Sequence, residues 1–372
     1  MKLTIIKNLS WRKVYLVFLS EDRKEVKEEL IKFDKDNKVV VDIDLNQVKY
    51  CYYTDKVRKS EMIVLSENLD CITIYYNKRS RFYTMDLSIE NHEDYGHVDT
   101  YILDDKKNLF FRKDHKKKIN VWTPSSYDKN KTYKVVIMFD AQNIFSLDKV
   151  GRYTKNNDRY GGWQVDVTLE NIKNRYHEDY IVLALDNSDK YRMNELMPNE
   201  ENWSYRPEVL CLLDENTPNH FDNFINFIME TALPFVESKY QVDTNDMVIC
   251  GSSCGGSASI YMGLKVPNRF KYILTFTPAI GWMDDEHCIE LYTKYYKAHN
   301  KAPYIFFFQG DNEECELEQQ LCLANTNFVS NLVKAGIPQD HIEVYYEPTA
   351  WHNEDPWRYA FNYAMEWVQK NK

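Results

Sequence analysis

The sequence predicts an α/β protein built on a mostly parallel sheet, preceded by a small all-β sandwich of Ig-like type. Three observations lead there. Continuous apolar runs recur through the second part of the chain: Val135–Phe139, Ile181–Leu185, Met247–Cys250, Tyr272–Phe276, Tyr304–Phe308 and Ile342–Tyr346. Such runs suit strands buried on both faces of a parallel sheet. Helical spacing fills the gaps between them. Phe221, Phe224, Ile225, Ile228, Leu233 and Phe235 share one face of a long helix. Leu317, Leu321, Phe328, Leu332 and Val333 share another, which stops at Gly336 with Pro338 just beyond. Residues 1–92, in contrast, alternate short β-branched and aromatic segments with polar turns.

Within residues 1–92 the strand candidates are Leu3–Ile6, Val14–Leu19, Val39–Ile43, Val48–Tyr53, Met62–Leu65, Cys71–Tyr76 and Phe82–Leu87. The segment from Arg23 to Phe33 fits either a helix or a strand, because Val26, Leu30 and Phe33 have helical spacing. The polar stretch Glu90–Gly96 sets the boundary with a second domain, residues 97–372. That domain opens with three strand candidates, Val98–Leu103, Leu109–Arg112 and Ile119–Thr123. Tyrosines 50, 52, 53, 75 and 76 read as cross-strand packing rather than a sugar-binding face.

Composition narrows the partners. The 372 residues carry a net charge of -10, which argues against nucleic acid or an anionic membrane. The basic run Arg112–Lys118 reads as a solvated hairpin tip. Eight cysteines are scattered without Cys-x-x-Cys or zinc-finger spacing, so they are expected to be free thiols. The N-terminus lacks a signal-peptide pattern and no run is long enough to span a bilayer, so a cytoplasmic location is expected. No metal or organic cofactor is implied.

The chemistry centres on Gly251-Ser252-Ser253-Cys254-Gly255-Gly256, after the run Met247–Cys250 and before a helix from about Ser257 to Leu264. This fits the Gly-x-Ser-x-Gly nucleophile elbow, with Ser253 as nucleophile. Serine needs an adjacent base. His352 follows the last strand run and precedes the C-terminal helix, where an imidazole can reach over a strand end. A carboxylate must orient that base, and Gln309-Gly310-Asp311-Asn312-Glu313-Glu314 follows a strand run at the right point in the chain. Glu313 is favoured, Asp311 is second, and Glu314 reads as the first turn of the next helix. The backbone N–H of Cys254 is one expected oxyanion donor, and the loop Asp140–Phe145 supplies the other.

Taken together these segments resemble the putative-esterase branch (esterase D-like, enterochelin esterase-like) of the α/β-hydrolases. The resemblance rests on Asp140-Ala141-Gln142-Asn143-Ile144-Phe145, Trp163-Gln164-Val165-Asp166, Asp186-Asn187 with Arg192 and Glu195, the elbow, Thr277-Pro278-Ala279 with Trp282, and His352-Asn353-Glu354 with Trp357-Arg358. It covers about residues 97–372. It implies an α/β-hydrolase fold, a Ser253–His352–Glu313 triad, and oxyanion donors at Cys254 and Gln142. Arg192, Trp163 and Trp282 become candidates for substrate binding. The chain departs from the family pattern at Ala141, where glycine is usual, at Cys254, where methionine is common, and at Trp351 before the histidine.

The implied activity is serine esterase chemistry through an acyl-enzyme, on a siderophore-type or small acyl ester. The same acyl-enzyme also serves transfer to an acceptor other than water. The competing reading is a catalytically retired hydrolase fold acting as a scaffold, with the N-terminal β domain recognising carbohydrate or a protein.

Overall fold

The computed structural model describes residues 1–8, 13–35, 38–54, 56, 62–65, 71–77, 82–88, 95–107, 116–145, 162–188, 191–198, 217–266, 268–280, 289–290, 293–294, 301–312, 315–348 and 350–372. These form two compact units. The first comprises Met1–Tyr95, Asn143–Asp179 and Glu347–Lys372; the second comprises Gly96–Gln142 and Tyr180–Tyr346.

The first unit contains two four-stranded sheets. One has the order β4-β1-β7-β8, from Lys38–Asp42, Lys2–Asn8, Cys71–Asn77 and Phe82–Ser88. The other has the order β3-β2-β5-β6, from Glu25–Ile31, Val14–Leu19, Tyr50–Thr54 and Ile63–Val64. Their shared core includes Leu3, Ile5, Leu16, Phe18, Cys51, Ile63 and Ile72. The ambiguous segment is therefore a strand: Glu25–Ile31 pairs antiparallel with β2. Helix α1 (Val165–Tyr176) and the last helix of the chain (Glu354–Lys370) belong to this unit and pack on each other. Arg175 fastens α1 to both neighbours. It donates to Glu366 at 2.6 Å and to the Leu65 carbonyl at 3.2 Å. Tyr359 of the last helix enters the sandwich core.

The second unit is one eight-stranded sheet of order β16-β15-β14-β13-β11-β12-β10-β9. In chain order these strands are β9 His97–Asp104, β10 Lys116–Thr123, β11 Tyr133–Phe139, β12 Tyr180–Leu185, β13 Val242–Ser252, β14 Phe270–Phe276, β15 Tyr304–Gly310 and β16 Ile342–Glu347. Strands β12-β11-β13-β14-β15 are parallel neighbours, and β10 is antiparallel to both β12 and β9. This is the mostly parallel sheet that the apolar runs predict, and every described residue of β12 is buried. The candidate Leu109–Arg112 lies outside the described residues.

Further helices bear on the site or on the sequence reading. Helix α2 is Arg192–Leu196, and α5 (Cys254–Lys265) packs on β13 and β14. The apolar face beginning at Phe221 is two α segments, α3 (Phe221–Phe227) and α4 (Leu233–Lys239), joined by a π-turn over Ile228–Ala232. Pro234 explains the break: it has no N–H to offer, and its ring collides with the carbonyl four residues back unless the turn widens. Helix α6 (Glu316–Lys334) packs on β15 and stops as its sequence predicts. Gly336 sits at φ 104°, and the N–H of Ile337 reaches back to the Leu332 carbonyl at 3.2 Å. The last helix of the chain, Glu354–Lys370, is α7.

Among the described residues of the basic run, Lys117 departs from the expected solvation. Lys117 is 1% exposed and pairs with the fully buried Glu195 of α2. Alternation along β10 turns Lys117 inward, while Lys116 stays outside. Ser188 completes the cluster, donating to Glu195 from its N–H at 2.9 Å and its hydroxyl at 2.7 Å.

Candidate active site

Strand β13 runs directly into α5 with one residue between, and that residue is Ser253. Its backbone lies at φ 54°, ψ -122°, outside the regions an L-residue ordinarily adopts. A conformation of this kind costs on the order of 1–3 kcal/mol and persists only where the surroundings enforce it. Here they do. The Ser253 N–H donates to the Phe276 carbonyl at the end of β14, at 3.0 Å. The Ser253 carbonyl accepts from Gly256 at 3.1 Å and from Ala279 at 3.0 Å.

The glycines around it answer to space. A Cβ on Gly251 would lie 2.3 Å from the Gly255 carbonyl oxygen, because strand and helix cross there at backbone contact. One on Gly256 would lie 2.8 Å from the Thr275 hydroxyl and 3.1 Å from Pro278. One on Gly255 would meet an Asp140 carboxylate oxygen at 3.1 Å. Ser252 is buried, whereas Ser253 is half-buried. Ser253, not Ser252, is thus the residue at the turn between strand and helix.

Cys254 opens α5, so its N–H is among those the helix leaves without an intrahelical acceptor. Its side chain is buried, with Sγ 3.8 Å from Ser253 Oγ and 3.4 Å from Met193 Sδ. Burial pushes the thiol up, and the nearby Arg192 charge only partly opposes this. A protonated thiol is a poor nucleophile, so the Cys254 sulfur is poorly suited to attack.

Asp140 lies beyond the end of β11 at φ 60°, and the 3₁₀ turn Ala141–Asn143 follows. The residue is 5% exposed and its carboxylate receives three close donors. Arg192 Nε and Nη2 each reach it at 2.6 Å, one per oxygen, and Asn187 Nδ2 at 2.7 Å. Burial pushes the Asp140 carboxyl up, but the Arg192 charge and these hydrogen bonds outweigh it and hold the group below its ordinary value. A depressed carboxyl stabilises the fold above the unfolded-state value and loses that contribution as the pH falls through the folded one. Asp140→Asn should therefore cost about 3 kcal/mol at pH 7, since Arg192 keeps a part-buried charge with no counter-ion. The gap to wild type should narrow below pH 3.8, the ordinary value for this group. Urea melts at pH 7 and pH 3 measure it, and an equal gap at both would refute the linkage.

Gln142 is buried in the 3₁₀ turn. Arg192, expected at the substrate, has all three guanidinium nitrogens engaged, since Nη1 meets Cys254 Sγ at 3.0 Å. Asp311, beyond the end of β15, is half-buried and accepts from the Tyr346 hydroxyl at 2.7 Å. Glu313, Glu314 and Trp282 lie outside the described residues.

The first unit holds the other expected site residues. His352 is half-buried two residues before α7, with Trp357 edge-on to its ring at 5.2 Å. Trp163 is 1% exposed and packs against Trp357 and Phe361. Its backbone N–H donates to the Asn143 carbonyl at 3.0 Å. Asn143 Nδ2 in turn donates to Glu354 at 2.9 Å, and Arg358 Nε to the Gly162 carbonyl at 3.0 Å. Gly162, at φ 66°, leaves no room for a Cβ, which would lie 2.1 Å from the Asn143 carbonyl oxygen. Sequence reasoning passed over this glycine and also the Asp140–Arg192 pair; the only signal for the pair was both residues' place in the motifs.

The family model described as "Putative esterase" matches residues 112–368. The chain belongs to that family. Its chemistry is carboxylic ester hydrolysis. Solved structures share the fold at low identity. An IroE-like serine hydrolase from Shewanella oneidensis aligns at 15% identity and TM-score 0.54, over 74% of this chain and 81% of that one. A siderophore hydrolase from Aspergillus nidulans aligns at 16% and 0.53, over 74% and 95%. The BES protein from Bacillus cereus aligns at 12% and 0.51, over 76% and 99%. No curated protein matches the chain significantly. Among the described residues no helix is long and apolar enough to cross a membrane, and no group of three or more His, Cys, Asp or Glu is placed to hold a metal.

Proposed function

We propose that this esterase is a serine hydrolase that uses Ser253, His352 and a carboxylate, Glu313 before Asp311, to cleave a carboxylic ester through an acyl-enzyme. The observation that carries the reading is the enforced backbone of Ser253 at φ 54°, between a buried strand and the first turn of a helix. Strain held in place by surrounding hydrogen bonds supports a reacting group. Ser253 Oγ attacks the ester carbonyl while His352 takes its proton, and the acid holds the imidazole in the required tautomer. The N–H groups of Cys254 and Gln142 receive the negative charge that develops on the carbonyl oxygen. His352 then returns the proton to the leaving alkoxide, and a water molecule repeats the sequence to free the acid.

For the substrate we favour a siderophore-type or small acyl ester. The support is a β domain preceding the hydrolase region, the order found in siderophore-releasing esterases, which is an argument by analogy of architecture.

A fluorophosphonate probe tests the mechanism, because it phosphonylates only an activated serine. We expect stoichiometric labelling that maps to Ser253. Labelling should slow by several orders of magnitude in His352→Ala, and more in Glu313→Gln than in Asp311→Asn. Folded protein that takes no label would sink the assignment of Ser253. The reverse order of the two carboxylate variants would transfer the acid's role to Asp311.

A further inference from the structure

We propose that Arg192, acting through Asp140, is a positioning residue for the oxyanion site: its guanidinium holds the Gln142 and Cys254 backbone N–H groups at a fixed separation. This rests on the reading of Ser253 as nucleophile and of those two amides as donors. The amides come from segments more than a hundred positions apart in sequence. One follows the turn after β11 and the other opens α5. Two such donors act as a pair only if the ends of β11 and α5 cannot drift, and Arg192 links them by its own atoms. Nε and Nη2 take one oxygen each of Asp140 at 2.6 Å, and Nη1 lies 3.0 Å from Cys254 Sγ.

The two ends of this link are themselves constrained. Asp140 adopts φ 60°, a left-handed conformation that an aspartate takes only with local support, and it sets the direction in which the 3₁₀ turn carrying Gln142 departs. Its carboxylate has further donors in Asn187 at 2.7 Å and, more distantly, Gln142 Nε2 at 3.5 Å. On the other side, Gly255 leaves so little room that a Cβ would come within 3.1 Å of the Asp140 carboxylate. The carboxylate therefore lies directly against the first turn of α5. Both partners remain charged despite burial, since each holds the other in its ionised form. A planar fork on a carboxylate fixes angle as well as distance, which a lysine at the same place would not do.

A positioning residue acts on the transition state, and a substrate-binding residue acts on the ground state as well. The test is steady-state kinetics of Arg192→Ala and Arg192→Lys on a p-nitrophenyl ester, normalised to folded protein. The affinity of each variant for an aryl trifluoromethyl ketone, which forms a tetrahedral adduct on the serine, is measured alongside. For Arg192→Ala we expect kcat to fall about 10²–10³-fold with KM within about twofold, and the ketone to lose affinity by a similar factor. Arg192→Lys retains the charge without the fork and should recover only part of kcat. It also serves if Arg192→Ala does not fold: wild-type kcat in Arg192→Lys would then overturn the clamp. A rise in KM with kcat preserved would make Arg192 a substrate-binding residue, and a lower melting temperature with unchanged kcat would make it merely structural. Either outcome overturns the proposal. Ser253→Ala in parallel separates the two claims. If it is inactive while Arg192→Ala is fully active, only the clamp falls; if it turns over like wild type, the serine reading falls and the clamp with it.

Discussion

Ser253→Ala is expected to lower kcat by on the order of 10⁵–10⁶-fold while leaving the protein folded. The two halves of that expectation have different origins. On the proposed mechanism, the chemical loss follows from removing the atom that forms the acyl bond. The residual rate, about 10³-fold over uncatalysed hydrolysis, comes from backbone donors and substrate positioning that the substitution leaves in place. The structural half follows from what holds residue 253. Its conformation is fixed by hydrogen bonds of its own N–H and carbonyl to Phe276, Gly256 and Ala279, and alanine makes all of them. Serine and alanine both carry a Cβ, so the strain at φ 54° is the same in both. The melting temperature should therefore lie within about 2 °C of wild type, a surface-like change in free energy. Turnover of a p-nitrophenyl ester by the purified variant measures the first half and a thermal melt the second. A folded variant that retains wild-type turnover would remove Ser253 from the mechanism.

The neighbouring thiol makes this a sharper experiment than usual. Cys254 Sγ is 3.8 Å from Ser253 Oγ, close enough to be proposed as a substitute nucleophile. Burial works against it by keeping the thiol protonated.

How much of this was legible in the sequence depends on whether the decisive contact was local. Parallel strands of the second unit were readable because burial on both faces leaves an unbroken apolar run, as in Ile181–Leu185. The elbow was readable because its glycine spacing is a local pattern, and its tightest contact, Gly251 against the Gly255 carbonyl, spans only four residues. The strand at Glu25–Ile31 was not. It carries exposed apolar groups at Val26 and Leu30, whose spacing mimics a helix, and only antiparallel pairing with β2 settles its state. Lys117 was hidden for a related reason. In sequence it belongs to a basic run, and its buried partner Glu195 lies far along the chain. The Asp140–Arg192 pair is likewise a product of topology, joining the end of β11 to α2. Sequence reasoning could name both residues but had no means of pairing them. Family membership extends the reading to ester chemistry. It does not extend to the substrate, which depends on side chains that the motifs leave free to vary.

Gly251→Ala should damage stability and rate together, and Gly336→Ala shows why the two can be told apart. A methyl on Gly251 would lie 2.3 Å from the Gly255 carbonyl oxygen and 2.4 Å from its carbonyl carbon. Both are backbone atoms in the first turn of α5, so no rotamer change can relieve the clash. Strand and helix must separate by about 1 Å to reach ordinary contact, and overpacking of this kind costs about 3 kcal/mol. That separation moves the Cys254 N–H away from the position a carbonyl oxygen would take. A displacement of that size is worth about 10²-fold in kcat. Gly336 has the opposite character. It sits at φ 104°, but a Cβ there meets nothing within 4 Å. Alanine at 336 carries only the left-handed backbone penalty, about 1–2 kcal/mol, and kcat should not change. Urea denaturation and p-nitrophenyl ester turnover of both variants decide the matter. If Gly251→Ala lost stability but kept wild-type kcat, the strand–helix crossing would be a packing feature with no bearing on the nucleophile, and the strained serine would have to be explained in some other way.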